Sequence, residues 1–248
     1  MRSTVLTLAA IVLTTSPAFA QAPTARDVLK KAVQAHGGAD VLNKYTAGTS
    51  KMKGKLLLGG FEFPFSGSLA FAVPGKVHLT IEAEAMGQKM TVQQIINGEK
   101  VVQLENGKQT RISDTMRQEL QNSPAIQEMS LLTPLLDEKK YTLELGKDVE
   151  VDGKPAHVVI VKGKNRKEVT LSFDVKTGYL VKMSRKALNP MEMEVTEDSV
   201  FTDFRNTAGM IVPMKFTVDH DGRPFMAVEV TEYKPLEKLD DKAFTVSD

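Results

Sequence analysis

The sequence predicts a mainly β chain built on a single antiparallel sheet, with a helix near its N-terminal end and a helical cover inserted mid-chain. Three observations carry this reading. Apolar residues recur at every second position through most of the chain. Turn signals containing Gly punctuate it at regular intervals. One stretch, 113–136, replaces the alternation with helical spacing.

Met1-Arg2 is a short basic start, followed by a mostly apolar run from Val5 to Leu13 and the break Ser16-Pro17. Ala18-Phe19-Ala20 places small residues at both recognition positions of a signal-peptide cleavage site. Residues 1–20 are therefore expected to be a signal peptide cleaved after Ala20, and 21–248 a single domain in the periplasm or outside the cell. The apolar run is much shorter than the ~20 residues a spanning helix needs.

Thr24 is placed to cap a helix, with Asp27 in its first turn and Val28, Leu29, Ala32 and Val33 on one buried stripe. His36 sits in its last turn, and Gly37-Gly38 ends it. A short second helix carries Val41 and Leu42.

Beyond Tyr45 the period becomes two. Phe61, Phe63, Phe65, Gly67, Leu69 and Phe71 share one strand face, and Glu62, Pro64, Ser66, Ser68 and Ala70 the other. Val77, Leu79, Ile81, Ala83 and Ala85 alternate with Lys76, His78, Thr80, Glu82 and Glu84. The same pattern recurs over 168–174 and 210–219. Asn97-Gly98, Asn106-Gly107, Asp152-Gly153 and Asp221-Gly222 tolerate the positive φ of tight hairpins, so the strands form one meander.

Ser113 is placed to cap a helix carrying Met116 and Leu120. Ser123-Pro124 starts a second, carrying Ile126, Met129 and Leu132, with Pro at the first helical position. Thr133-Pro134 forces a break or kink, and Leu135 and Leu136 extend the apolar surface beyond it.

Of 248 residues, 42% are apolar and 25% charged, and Lys plus Arg number 32 against 31 acids. A chain so balanced has no global attraction to nucleic acid or an anionic membrane. With no cysteine it has no disulfide framework, thiol nucleophile or cysteine zinc site. His36, His78, His157 and His220 lack metal-ligand spacing, and no nucleophile elbow, phosphate loop or dinucleotide fingerprint occurs. Glu82 with Glu84, and Glu192 with Glu194, read as solvated pairs, and the run 162–167 as a solvated hairpin tip. No catalytic residue, metal or cofactor is expected.

The positive signal is apolar. Eleven methionines remain after Met1, of which Met52, Met90, Met210 and Met214 fall on inferred inward faces. A sheet face rich in Phe and Met beneath a Pro-broken cover is suited to enclose an apolar ligand. The candidate floor is Phe61, Phe63, Phe65, Leu69, Phe71, Leu79, Ile81 and Met90. The candidate lid is Met116, Leu120, Ile126, Met129, Leu132, Leu135 and Leu136.

Several segments carry a resemblance. They are Ala35-His36-Gly37-Gly38, Gly67-Ser68-Leu69 leading to Val73-Pro74-Gly75-Lys76-Val77, and Asn97-Gly98-Glu99-Lys100-Val101. Phe173-Asp174-Val175-Lys176-Thr177-Gly178-Tyr179-Leu180, Gly209-Met210-Ile211-Val212-Pro213-Met214-Lys215 and Asp240-Asp241-Lys242-Ala243-Phe244 complete the set. With these the chain resembles the bacterial lipoprotein-localisation factor superfamily, the LolA/LolB-like proteins and their outer-membrane lipoprotein-sorting relatives. The resemblance implies an unclosed β-barrel with a helical lid over an apolar cavity. It implies a non-catalytic carrier or binding protein for lipid-like or acylated ligands, including lipoproteins, with transient membrane-protein contacts. The alternative within the same fold is an envelope sensor that binds a protein partner. One departure stands out: the carriers have Arg just before the Pro of the second-strand turn, where it helps latch the lid, and this chain has Val73.

Overall fold

The computed structural model describes residues 22–246 apart from 86, 165 and 166, so the expected signal peptide lies outside the described residues. Helix α1 (Ala25–Ala35) opens on a reciprocal capping box. The Thr24 hydroxyl accepts the Asp27 amide at 3.2 Å, and the Asp27 carboxylate accepts the Thr24 amide at 3.1 Å. Gly37 and Gly38, both at positive φ, turn the chain into α2 (Ala39–Lys44).

A first run of strands follows: β1 (Ala47–Leu58), β2 (Phe61–Ala72), β3 (Lys76–Ala85), β4 (Gln88–Asn97), β5 (Lys100–Glu105) and β6 (Lys108–Thr110). The insertion comprises α3 (Asp114–Leu120), α4 (Ser123–Ser130) and a 3-10 turn at Thr133–Leu136. A second run then forms β7 (Tyr141–Leu145), β8 (Val149–Val151), β9 (Lys154–Gly163), β10 (Val169–Asp174) and β11 (Leu180–Leu188). It continues with β12 (Glu194–Thr207), β13 (Met210–His220) and β14 (Arg223–Leu236), and a 3-10 turn at Asp241–Phe244 ends it.

All strands join one antiparallel sheet in the order β6-β5-β4-β3-β2-β1-β14-β13-β12-β11-β10-β9-β7, with β8 on β9. The end strands β6 and β7 do not pair with each other, so the curled sheet is an unclosed barrel. Asn106-Gly107, Asp152-Gly153 and Asp221-Gly222 have positive φ at both positions, the backbone that tight hairpins need.

The main core lies on the helix-bearing face. Val28, Leu29, Ala32 and Val33 of α1 meet Met129, Leu131, Leu132 and Leu135 of the insertion above Val159, Val161, Val169, Leu171 and Phe173. A smaller cluster joins Leu120 of α3 to Phe71, Val77, Ile96 and Val101. Burial of each such side chain contributes about 1.5–3 kcal/mol.

Three local expectations need correction. In α4, Pro124 occupies the second helical position, because the helix begins at Ser123. The break in the cover precedes Pro134: α4 ends at Ser130, and Leu132 (φ 64, ψ −45) forms a tight turn closed by the Thr133 amide on the Leu131 carbonyl at 2.7 Å. Burial drives this geometry, since Leu132 is only 1% exposed within the core. The sheet face of Ser66, Ser68, His78 and Thr80, which the alternation makes polar, also carries a third apolar cluster, in which Phe244 packs on Ile95, Val102 and Leu104.

Candidate functional site

The pairing register sets rows of side chains across the helix-bearing face. Phe71 lies between Gly48 and Val77, and the row continues to Ile96 and Val101. A second row holds Ser50, Leu69, Leu79 and Gln94, and a third Met52, Gly67, Ile81 and Val92. Beyond them Phe65 pairs with Gly54 and Ala83, Ala83 with Met90, Phe63 with Leu56, and Phe61 with Leu58.

The strand glycines make room for the aromatic rings. A Cβ on Gly48 would lie 2.8 Å from the Phe71 ring, and one on Gly54 2.7 Å from the Phe65 ring. Both rings are buried over the backbone of the neighbouring strand. Tyr233 opposite Ser50 joins the Phe71 cluster, and burial pushes its hydroxyl up to about 12.

The expected floor and lid residues fall into three groups. Phe65, Phe71, Leu120, Met129, Leu132 and Leu135 are buried, and Leu69, Met116, Ile126 and Leu136 pack partly buried against the clusters. Phe63, Leu79 and Ile81 are half-buried, leading away from α3. Phe61 and Met90 depart from the inward reading: they are 70% and 49% exposed, at hairpin ends beyond the reach of the insertion. Leu58, Met191 and Met193 are exposed at the same end of the sheet.

The insertion is packed down. A gap beneath α4, bounded by Ala125, Ile126, Met129, Val169, Arg185 and Lys167, measures about 20 Å³, room for about one water. Helix α3 spans the open side of the barrel. On one arm Arg117 donates to the Val101 carbonyl at 3.2 Å, and Gln121 to the Glu99 carbonyl at 2.9 Å. On the other, Arg185 of β11 donates through Nη1 to Glu119 at 2.6 Å and through Nε to Glu197 at 2.8 Å. His220 lies 3.4 Å from the other oxygen of Glu197 and stacks on Phe225. At the helix start the Ser113 hydroxyl donates to Glu192 at 2.7 Å. Val73 packs among the apolar side chains of both clusters.

Arg185 was not among the residues singled out from sequence. Its signal is register: it shares a strand face with Met183 and Ala187, both buried, so a charge stands on an apolar row.

A larger depression, about 210 Å³, lies on the opposite sheet face among Thr49, Lys51, Ser68, His78, Thr80, Glu232 and Lys234. Hydrogen bonds from Lys234 and Lys51 hold the Glu232 carboxyl down at about 2. His78 Nδ1 lies 2.8 Å from the Ala243 carbonyl, which ties β3 to the C-terminal turn. Among the described residues no group of three or more His, Cys, Asp or Glu could hold a metal ion, and no helix is long and apolar enough to cross a membrane.

No family model matches the sequence, and no curated protein does. Solved structures do match. A LolA superfamily protein from Nitrosomonas europaea is 14% identical with a TM-score of 0.58, over 90% of this chain and 98% of that one. A DUF1329 family protein from Desulfovibrio piger is 13% identical with a TM-score of 0.55, over 90% and 98%. A domain named for outer membrane lipoprotein sorting, from Vibrio parahaemolyticus, is 8% identical with a TM-score of 0.54, over 89% and 95%. With its unclosed antiparallel sheet, N-terminal helix and mid-chain helix pair, this chain has a LolA-like fold.

Proposed function

We propose that the mature protein, residues 21–248, is a periplasmic carrier or binding protein that holds an acyl chain against the helix-bearing face of its sheet. It does so without catalysis. The carrying observation is the apolar strip Leu79, Ile81, Met52, Val92, Phe63 and Leu56, half-buried and continuous from the α3 cluster to exposed Leu58 and Phe61. An apolar face left partly in water is stabilised by an apolar occupant. Each methylene it takes out of water contributes about 0.8 kcal/mol. The likeness to a protein named for lipoprotein sorting supports the same ligand class. Lifting α3 would lengthen the strip into a groove floored by Phe71 and Leu69.

The test is to purify the protein from periplasm without detergent, extract it with organic solvent and examine the extract by mass spectrometry. Acyl chains in stoichiometric amount are the expected result. An empty extract, together with no uptake of a fluorescent fatty acid, would overturn the reading. Recovery of one regulatory protein by crosslinking in cells, in place of lipids, would point to sensing instead.

A further inference from the structure

We propose that Arg185 is the recognition residue for a carboxylate headgroup on the acyl ligand, and that Glu119 occupies it as an internal stand-in until such a ligand arrives. The inference rests on the acyl reading above and narrows its ligand class to long-chain carboxylates.

Arg185 stands on the helix-bearing face of β11, opposite Val169 and in line with buried Met183 and Ala187. Its side chain is 20% exposed, and that of Glu119 is 10% exposed. A guanidinium so placed is costly unless it is paired. Its two partners are unequal in attachment. Glu197 is a cross-strand neighbour in β12, fixed by the sheet and further engaged with His220. Glu119 belongs to α3, a seven-residue helix held to the sheet through side chains, with Leu120 and Met116 in the apolar cluster and Arg117 on the Val101 carbonyl.

The guanidinium geometry leaves room for exchange. Nε serves Glu197 and Nη1 serves Glu119, while Nη2 makes no hydrogen bond among the described residues. The edge formed by Nη1 and Nη2 is the fork that takes a carboxylate through two parallel hydrogen bonds. A ligand carboxylate that replaced Glu119 there would keep the local charge unchanged. It would gain the second hydrogen bond that Glu119 does not make. Lys167, which lines the same gap, is paired with Glu194 at 2.8 Å.

Ala125, Ile126, Met129 and Val169 line the gap beside Arg185, together with Asn122, Lys167 and Lys186. Exchange would also release the cover. Glu119 precedes Leu120, which is buried against Phe71 and Val77, and Met116 packs one turn earlier. Freeing Glu119 therefore weakens the hold of α3 on the β11 arm, where Ser113 stays bonded to Glu192, and leaves Arg117 and Gln121 in place on the β5 arm. Headgroup recognition and access to the apolar strip become one event, a ligand-dependent shift between two states.

The test uses full-length mature protein with two fluorescent probes, parinaric acid and its methyl ester, which share one chain and differ in charge. The acid is expected to bind about ten-fold more tightly than the ester, as one charge-assisted bidentate contact allows. Arg185→Gln should abolish that preference, so that acid and ester bind alike. Glu119→Gln should tighten acid binding several-fold and ester binding by less, since both probes gain from the freed cover and only the acid from the freed guanidinium. If Arg185→Gln does not fold because two carboxylates lose their partner, the Arg185→Gln/Glu119→Gln double variant supplies the same comparison. Equal binding of acid and ester by the wild type, or a preference that survives loss of Arg185, would overturn this inference and leave the acyl reading standing. Binding of neither probe would overturn both.

Discussion

His36 and Leu180 are joined by a buried hydrogen bond in which the Leu180 amide donates to imidazole Nε2 at 3.0 Å. On its other side the ring lies 2.7 Å from the Ile211 carbonyl through Nδ1, so the neutral tautomer with hydrogen on Nδ1 satisfies both neighbours. One side chain thus clasps the end of α1 to the start of β11 and to β13, with Tyr179 and Phe204 edge-on to the ring.

This clasp sets a pH dependence. Burial lowers the His36 pKa below its ordinary 6.5, against a smaller raising effect of the Ile211 hydrogen bond. The group is a base held neutral in the folded state, so the unfolded chain takes up the proton first. Its contribution is fully present above about pH 6.5 and is lost as pH falls towards the folded pKa. Urea midpoints of wild type and His36→Gln should converge between pH 7 and pH 5. A difference that stays constant across this range would show that His36 does not titrate differently on folding.

Gly37 should tolerate no side chain. Its φ is +123, and a Cβ there would lie 2.4 Å from the Gly209 carbonyl oxygen. Gly37→Ala is expected to lose about 1–3 kcal/mol from backbone strain, with the clash in addition. Gly59→Ala, also at positive φ but facing open space, should cost less in the same denaturation assay.

Two phenylalanines of one strand face should separate stability from binding. Phe65 is 5% exposed and Phe61 is 70% exposed. Phe65→Ala is expected to cost about 3–5 kcal/mol. Phe61→Ser should change stability by no more than about 0.5 kcal/mol while weakening uptake of a fluorescent acyl probe. Unchanged uptake would remove the outer end of the strip from the proposed ligand path.

The cover offers a third comparison. Leu132→Asp places a carboxylate in a site 1% exposed, at the tight turn between α4 and the 3-10 turn. A loss of about 3–5 kcal/mol is expected, with parallel loss of probe affinity. A folded variant with normal affinity would exclude the region beneath Leu132 from the ligand path.

Processing is checked most directly. Expression with export should yield a mature chain beginning at Gln21, read by intact mass or N-terminal sequencing. A chain retaining Arg2 would contradict the cleavage read from Ala18-Phe19-Ala20.

Local physics made much of this molecule legible in one dimension. Thr24 with Asp27, the Asn-Gly and Asp-Gly hairpins, and the alternation from Phe61 to Phe71 each specify backbone geometry within a few residues, and the structure contains them, although at Asn97-Gly98 only the glycine takes positive φ. What lies opposite a side chain depends instead on residues far away in the chain. Phe61 and Phe65 obey the same period, yet only the tertiary structure leaves one in water: the Phe65 ring lies over Gly54 within the sheet, and Phe61 stands at the hairpin end opposite exposed Leu58. Leu132 breaks the cover ahead of Pro134, since core packing outweighs a local backbone preference. Arg185 meets Glu119 across 66 positions of chain, a contact that exists only because the sheet curls far enough for α3 to reach both of its arms.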